Sequence, residues 1–213
     1  MTLNDLNLRK TVILFFDVLN GYYHGSDETM RQKLRPVVEK ASILMQSARD
    51  AGVLIFFAKA NHRTDNGTVP LLITDTDSAL HPWPDGVPQK VKHLVFAGEK
   101  SSDVIPELDP QPGDYYIPKY RWSAFYQTYL ELALRNLGID TVIISGGSTD
   151  VGIAATVFAG RDMDFNFIVV RDACATVRDQ RAHDVLMDLV FPRMSRVRTT
   201  EEVCLMIRKA RGN

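Results

Sequence analysis

The chain has 213 residues, 45% hydrophobic and 24% charged, with 25 Lys and Arg against 26 Asp and Glu. That composition can bury a full core, and it excludes disordered, collagen-like and low-complexity classes. A net charge of −1 without a dense basic face argues against nucleic acid as a partner. The longest apolar runs, 11–16 and 141–145, fall far short of the roughly 18 residues a membrane span needs, so no membrane partner is expected.

Residues 1–10 are polar and lack the apolar centre of a secretion signal, which predicts a cytoplasmic location. The two cysteines, Cys174 and Cys204, supply neither a disulfide framework nor a CxxC metal pattern. Apolar β-rich runs at 11–16, 53–58, 115–117, 141–145 and 167–170, with a weaker one at 196–199, predict six strands. Several are apolar on both faces, as buried parallel strands are. After the first strand, Val37, Ile43, Leu44 and the residues up to Ala51 recur at helical spacing and stop at Gly52. Further helices fit 122–137, 151–162, 179–191 and 200–211. Alternating strands and helices predict an α/β fold, a single domain over 1–213.

The stretch 59–114 breaks this rhythm. It is rich in Pro, Gly and Asp, carries His81 and Trp83 in His-Pro-Trp-Pro, and leaves room for a short helix at 102–108. A connection of this length inside a compact domain points to a functional role, here a substrate pocket.

Ligands of parallel α/β sheets lie beyond the carboxyl ends of the strands. The candidates there are Asp17, Asn61 and His62, Lys119, the run 146–152 and Asp172. Asp17 follows an apolar strand and is either a general acid or base or a turn carboxylate. Lys119 either pairs with Asp17 and polarises a bound carbonyl, or snorkels at the surface. The run Gly-Gly-Ser-Thr-Asp-Val-Gly can turn backbone N–H groups toward an oxyanion, although strand-to-helix turns also need glycine for geometry alone. It matches neither GxGxxG nor GxxxxGK[ST], which disfavours a nucleotide-binding protein.

Asp17 after strand one, Lys119 in Lys-Tyr-Arg-Trp-Ser-Ala-Phe, and Ser-Gly-Gly-Ser-Thr-Asp-Val-Gly before a helix and Val-Val-Arg-Asp-Ala together resemble the isochorismatase-like (cysteine hydrolase) superfamily over about residues 11–200. The resemblance implies a Rossmann-like three-layer sandwich, a six-stranded, mostly parallel sheet of order 3-2-1-4-5-6 with helices on both faces. It also implies a catalytic triad of the aspartate, the lysine and a cysteine opening the helix after strand four. Gly152 stands at the cysteine's position. The stretch 148–152 looks like the carbamoylsarcosine and maleamate amidase version without its thiol. Glycine here is also what isochorismatases carry, which hydrolyse a vinyl ether with no covalent intermediate.

Neither Cys174 nor Cys204 is placed to replace that thiol, and Ser148 and Thr149 have only Asp150 nearby as a base. The family's Gln-Asn after the aspartate reads Leu19-Asn20 here, leaving Asn20 as a pocket residue. His62 is a candidate pocket residue in the region that supplies a metal site in nicotinamidase relatives, but the Asp-x-His pattern is absent, so neither metal nor cofactor is expected. Tyr22, Tyr23, Trp83 and Trp122 form either an aromatic wall for a planar substrate or ordinary core and interface aromatics. The resemblance further implies a cis peptide at Ser148–Thr149 and a homodimer or homotetramer. The expected function is hydrolysis of a small molecule by water, with a pseudoenzyme that only binds its ligand as the alternative.

Overall fold

The structure, a computed structural model, describes residues 4–77 and 86–212. Six strands form one parallel sheet: β1 (Thr11–Phe16), β2 (Leu54–Ala60), β3 (Tyr115–Lys119), β4 (Thr141–Gly147), β5 (Asn166–Ala175) and β6 (Arg196–Arg198). Their order is β3-β2-β1-β4-β5-β6, as the resemblance implies. The sheet is parallel because both faces are covered by helices. Strand β1 shows this most directly, since all six of its residues are buried. Ile13 and Phe15 face α1 (Glu28–Asp50) and α5 (Thr200–Arg211), whereas Val12, Leu14 and Phe16 face α2 (Leu130–Asn136) and α3 (Ala154–Asp162). Each such side chain contributes about 1.5–3 kcal/mol by leaving water.

Helix α1 begins well before the predicted periodicity because Asp27 caps it, accepting from Met30 N at 2.8 Å. Helix α5 opens with a capping box in which Thr199 and Glu202 each bond the other's backbone N–H. The helix α4 (Gln180–Val185) is shorter than the predicted 179–191, and runs on as a wide turn through Val190.

The predicted helix over 122–137 is corrected to α2 alone. Ser123 Oγ accepts from Phe125 N, Thr128 Oγ1 bonds Ala124 O, and Thr156 Oγ1 accepts from Ala124 N at 2.9 Å. These side chains take backbone groups a helix would use, and Gln127 adopts a left-handed φ of 54°. The predicted helix at 102–108 is two tight turns, Lys100–Ser102 and Pro106–Leu108, separated where Val104 bridges to Leu19. Strands β2, β3, β4 and β5 run past their predicted ends: β2 reaches Ala60, Lys119 ends β3 rather than following it, and β5 runs to Ala175. The β4–β5 register shifts between Ile144 and Gly146. Gly146 has φ 117°, and a β-carbon there would sit 2.1 Å from Phe16 O, so only glycine fits this crossing.

Candidate active site

The carboxyl ends of β1, β3 and β4 converge at one edge of the sheet. Asp17 leaves β1 with φ 52°, a left-handed conformation that Asp tolerates better than most residues. Its N–H donates to Ala58 O at 2.8 Å, which turns the side chain toward β2 and β3. There Oδ1 accepts from Ala60 N at 2.8 Å, and Oδ2 stands 2.6 Å from Lys119 Nζ. The pair is almost dry, with side-chain exposures of 7% for Lys119 and 12% for Asp17. The Lys119 ammonium also lies 4.4 Å from the centre of the Phe16 ring. An ammonium over an aromatic face gains electrostatic stabilisation while the ring excludes water.

The turn after β4 closes the site. Gly147–Ser148 is a cis peptide, one residue before the expected Ser148–Thr149 bond. The Ser148 carbonyl accepts from Ile153 N at 3.1 Å, the hydrogen bond that starts the following helical turn. Thr149–Ile153 forms a wide turn before α3, bringing Gly152 against Phe16.

These groups enclose a cavity of about 340 Å³. Asp17, Lys119, Ser148 and Gly152 line it, as do Tyr22 and Trp122 from the expected aromatic wall. Burial, with Asp17 adding to it, pushes the Tyr22 phenol well above its ordinary range, so it stays protonated. Trp122 lies at the rim, 58% exposed.

Other expected site residues point elsewhere. Asn20 Nδ2 donates to Lys100 O at 3.2 Å and lines a separate, wider groove with Lys59 and Tyr116. Thr149 is fully buried, its hydroxyl 2.9 Å from His183 Nδ1 and turned from the cavity. His62 is buried beside the site: Nδ1 bonds Thr68 O at 3.2 Å, and its ring lies 3.9 Å from that of His93. Burial, together with His93, lowers the His62 pKa to about 4, so it is neutral at pH 7. Asn61 contributes its backbone to β3 through Lys119 O. Asp172 caps α5 by accepting from Thr200 N at 2.7 Å, with no part in the cavity. Trp83 and His81 lie outside the described residues. Among the described residues, no group of three or more His, Cys, Asp or Glu is arranged to hold a metal ion.

No alternative nucleophile stands out. Cys174 is buried, its thiol pushed up to about 12 by burial, and Cys204 is buried in α5. The Ser148 hydroxyl donates to Asp150 Oδ1, which Thr176 also reaches at 2.9 Å. Burial works against that carboxylate, yet the Ser148 and Thr176 hydroxyls hold it below its ordinary pKa, making it a weak base.

Sequence reasoning missed Phe16, the apolar cap of Leu34, Val37 and Val38 from α1, and Arg178 at the cavity mouth. Phe16 adjoins Asp17 at a strand end, which is the signal that could have found it. Arg178 follows β5 by three residues, but only when that strand is carried to Ala175.

A family model described as isochorismatase domain matches residues 11–202. An uncharacterized isochorismatase family protein of Escherichia coli is 28% identical over 93% of this chain and 97% of its own length. The ureidoacrylate amidohydrolase of Pantoea ananatis is 29% identical over 65% of this chain, a match spanning 56% of that enzyme. Among solved structures, an isochorismatase family protein from Burkholderia thailandensis superposes with a TM-score of 0.77 at 24% identity, covering 96% of this chain and 98% of that one. N-carbamoylsarcosine amidase from Thermoplasma acidophilum superposes at 0.69 with 25% identity, over 90% of this chain and 97% of that one. With the sheet order in place and the family model spanning all six strands of the sheet, the chain belongs to the isochorismatase family, a family of hydrolases.

Proposed function

We propose that this protein hydrolyses a small molecule at a vinyl ether or a C–N amide or ureide bond, by direct attack of water. One observation carries the reading: a buried Asp17–Lys119 pair opens on a cavity whose wall at Gly152 has room for no side chain. The ureidoacrylate amidohydrolase among the relatives supports the C–N alternative.

Asp17 exchanges the proton. Its two oxygens each accept one bond, from Ala60 N and Lys119 Nζ, and a carboxylate retains further lone pairs facing the cavity. For an amide or ureide, water's oxygen bonds to the carbonyl carbon and one of its protons passes to Asp17. That proton then returns to the nitrogen as the C–N bond breaks. Lys119 pairs with the carboxylate at 2.6 Å and orients the substrate, while the backbone of 148–152 faces the oxygen on which charge develops. Thiol chemistry has no part, and no metal or cofactor is assigned a step.

The cysteines Cys174 and Cys204 are both unpaired thiols, which supports a reducing, cytoplasmic setting. No helix among the described residues is long and apolar enough to cross a membrane. The test of the function is a screen of purified protein against isochorismate and a panel of small amides and ureides. Turnover of one class is expected. Binding across the panel with no turnover supports the pseudoenzyme alternative instead.

A further inference from the structure

We propose that His183, a residue outside the cavity, positions the turn that carries Gly152 by holding the Thr149 hydroxyl, and so governs the rate of the hydrolytic step without touching the substrate. The inference rests on the reading of this cavity as a hydrolytic site and adds a positioning residue to it.

The turn 148–152 acts through its backbone, so where it sits matters more than what its side chains are. Its half-buried side is tied through Asp150, whose Oδ1 accepts from Ser148 Oγ and, at 2.9 Å, from Thr176 Oγ1. The buried side is tied through Thr149. This residue is fully buried, and the one hydrogen bond of its hydroxyl among the described residues is to His183 Nδ1 at 2.9 Å. A hydroxyl proton taken out of water needs an acceptor, and Nδ1 is the one within reach. The imidazole therefore carries its own proton on Nε2 and receives that of Thr149 at Nδ1. Burial lowers the His183 pKa, which keeps the ring neutral at pH 7.

His183 is itself held in place. It is buried in α4, a helix whose first turn Asp179 caps by accepting from Arg181 N at 2.9 Å. The charged groups facing its ring are Asp184 on α4, Asp188 on the wide turn that follows, Arg171 on β5 and Asp150 on the catalytic turn. Lys33 of α1 and Asp172 of β5 line the cleft on its far side. Protonation of the ring would put a hydrogen on Nδ1 and leave the Thr149 hydroxyl without its acceptor, so acid loosens the turn. Losing this bond leaves the hydrocarbon walls of the cavity in place, since Val18, Leu19, Leu34 and Val37 come from β1 and α1. It moves the turn against the fixed Asp17–Lys119 pair, and a misplacement of about 1 Å beside reacting atoms costs about 10²-fold in rate.

The kinetic test uses whichever compound of the isochorismate, amide and ureide panel the wild type turns over. Thr149→Val and His183→Leu should each lower kcat about 10- to 100-fold with KM within about twofold, and the double variant should lose no more than either alone. Thr149→Ser and His183→Asn, which return a hydroxyl and an acceptor near Nδ1, should recover most of the loss. Because His183→Asn has no titrating ring, its kcat should hold to lower pH than that of the wild type. Nitrogen-15 NMR of the histidine rings reads the bond without any turnover: His183 should be the Nε2–H tautomer, with its Nδ1 signal shifted in Thr149→Val. That spectrum and the pH profile of His183→Asn decide the matter if an apolar variant does not fold. An Nδ1–H tautomer, an unmoved acid limb in His183→Asn, additive losses, or KM rising in step with the fall in kcat would each overturn the proposal. Wild-type turnover with kcat unchanged in Thr149→Val overturns this inference alone, whereas a panel on which the wild type turns over nothing overturns the hydrolytic reading and this inference together.

Discussion

A β-carbon on Gly152 would stand 2.2 Å from Cε1 and 2.5 Å from Cζ of Phe16, inside the van der Waals shell of the ring. The ring cannot easily yield. It is buried at the end of the central strand, with Lys119 Nζ held 4.4 Å from its centre. The aromatic ring thus occupies the space that a side chain at position 152 would need.

The first prediction concerns that contact. Gly152→Ala should destabilise the fold by about 1–3 kcal/mol, the cost of overpacking a filled core, despite alanine's better helix propensity. Urea denaturation reads it. Combining Gly152→Ala with Phe16→Leu should cost less than the sum of the two single changes, because both act on one contact. Additive losses would show that the two positions do not compete for space.

The Asp17–Lys119 pair is the second. Removing one member of a buried pair strands the other charge, so Lys119→Met should cost about 3–5 kcal/mol at pH 7. The double variant Asp17→Asn with Lys119→Met should lose less than Lys119→Met alone. A near-neutral effect of Lys119→Met would mean that water reaches the pair freely.

His62 supplies a pH dependence. Its pKa is lowered from 6.5 to about 4 by burial beside His93, so the unfolded chain takes up a proton that the folded one refuses. The stabilisation is fully present above pH 6.5 and is lost as pH falls from there through about 4. Burial lowers the His93 pKa in the same direction. His62→Gln should flatten stability against pH across that window, as followed by urea titrations. An unchanged slope in the variant would assign the acid sensitivity to other groups.

Much of this was readable in the chain itself, for identifiable reasons. Parallel strands announce themselves as doubly apolar runs whose carboxyl ends fall on one side of the sheet, so Asp17 and Lys119 were candidates from the sequence, and the family resemblance joined them. The helix over 122–137 was misjudged because apolar spacing does not register Thr156 reaching Ala124 from another element. Asn20 and Thr149 sit at the right places in sequence but turn to Lys100 and His183, choices made by neighbours far along the chain. Arg178 was hidden by ending β5 at Val170, five residues before the strand stops.

Association is the fourth prediction. Large apolar side chains remain exposed on the helical layers, among them Leu132, Phe158 and Leu189. Burying such residues against a second copy would remove them from water, and the family resemblance implies a homodimer or homotetramer. Multi-angle light scattering should give a mass at least twice that of the chain. A monomer at high concentration contradicts it.

The most direct test of the account is to take a substrate that the wild type turns over and compare Asp17→Asn with iodoacetamide-treated wild type. Asparagine tolerates the left-handed backbone at this position and can still accept from Ala60 N, but it cannot exchange a proton at useful pH. The account predicts that Asp17→Asn abolishes turnover while still binding the substrate, and that alkylation leaves activity unchanged. Full activity in Asp17→Asn, or inactivation traced to alkylation of Cys174, would contradict it.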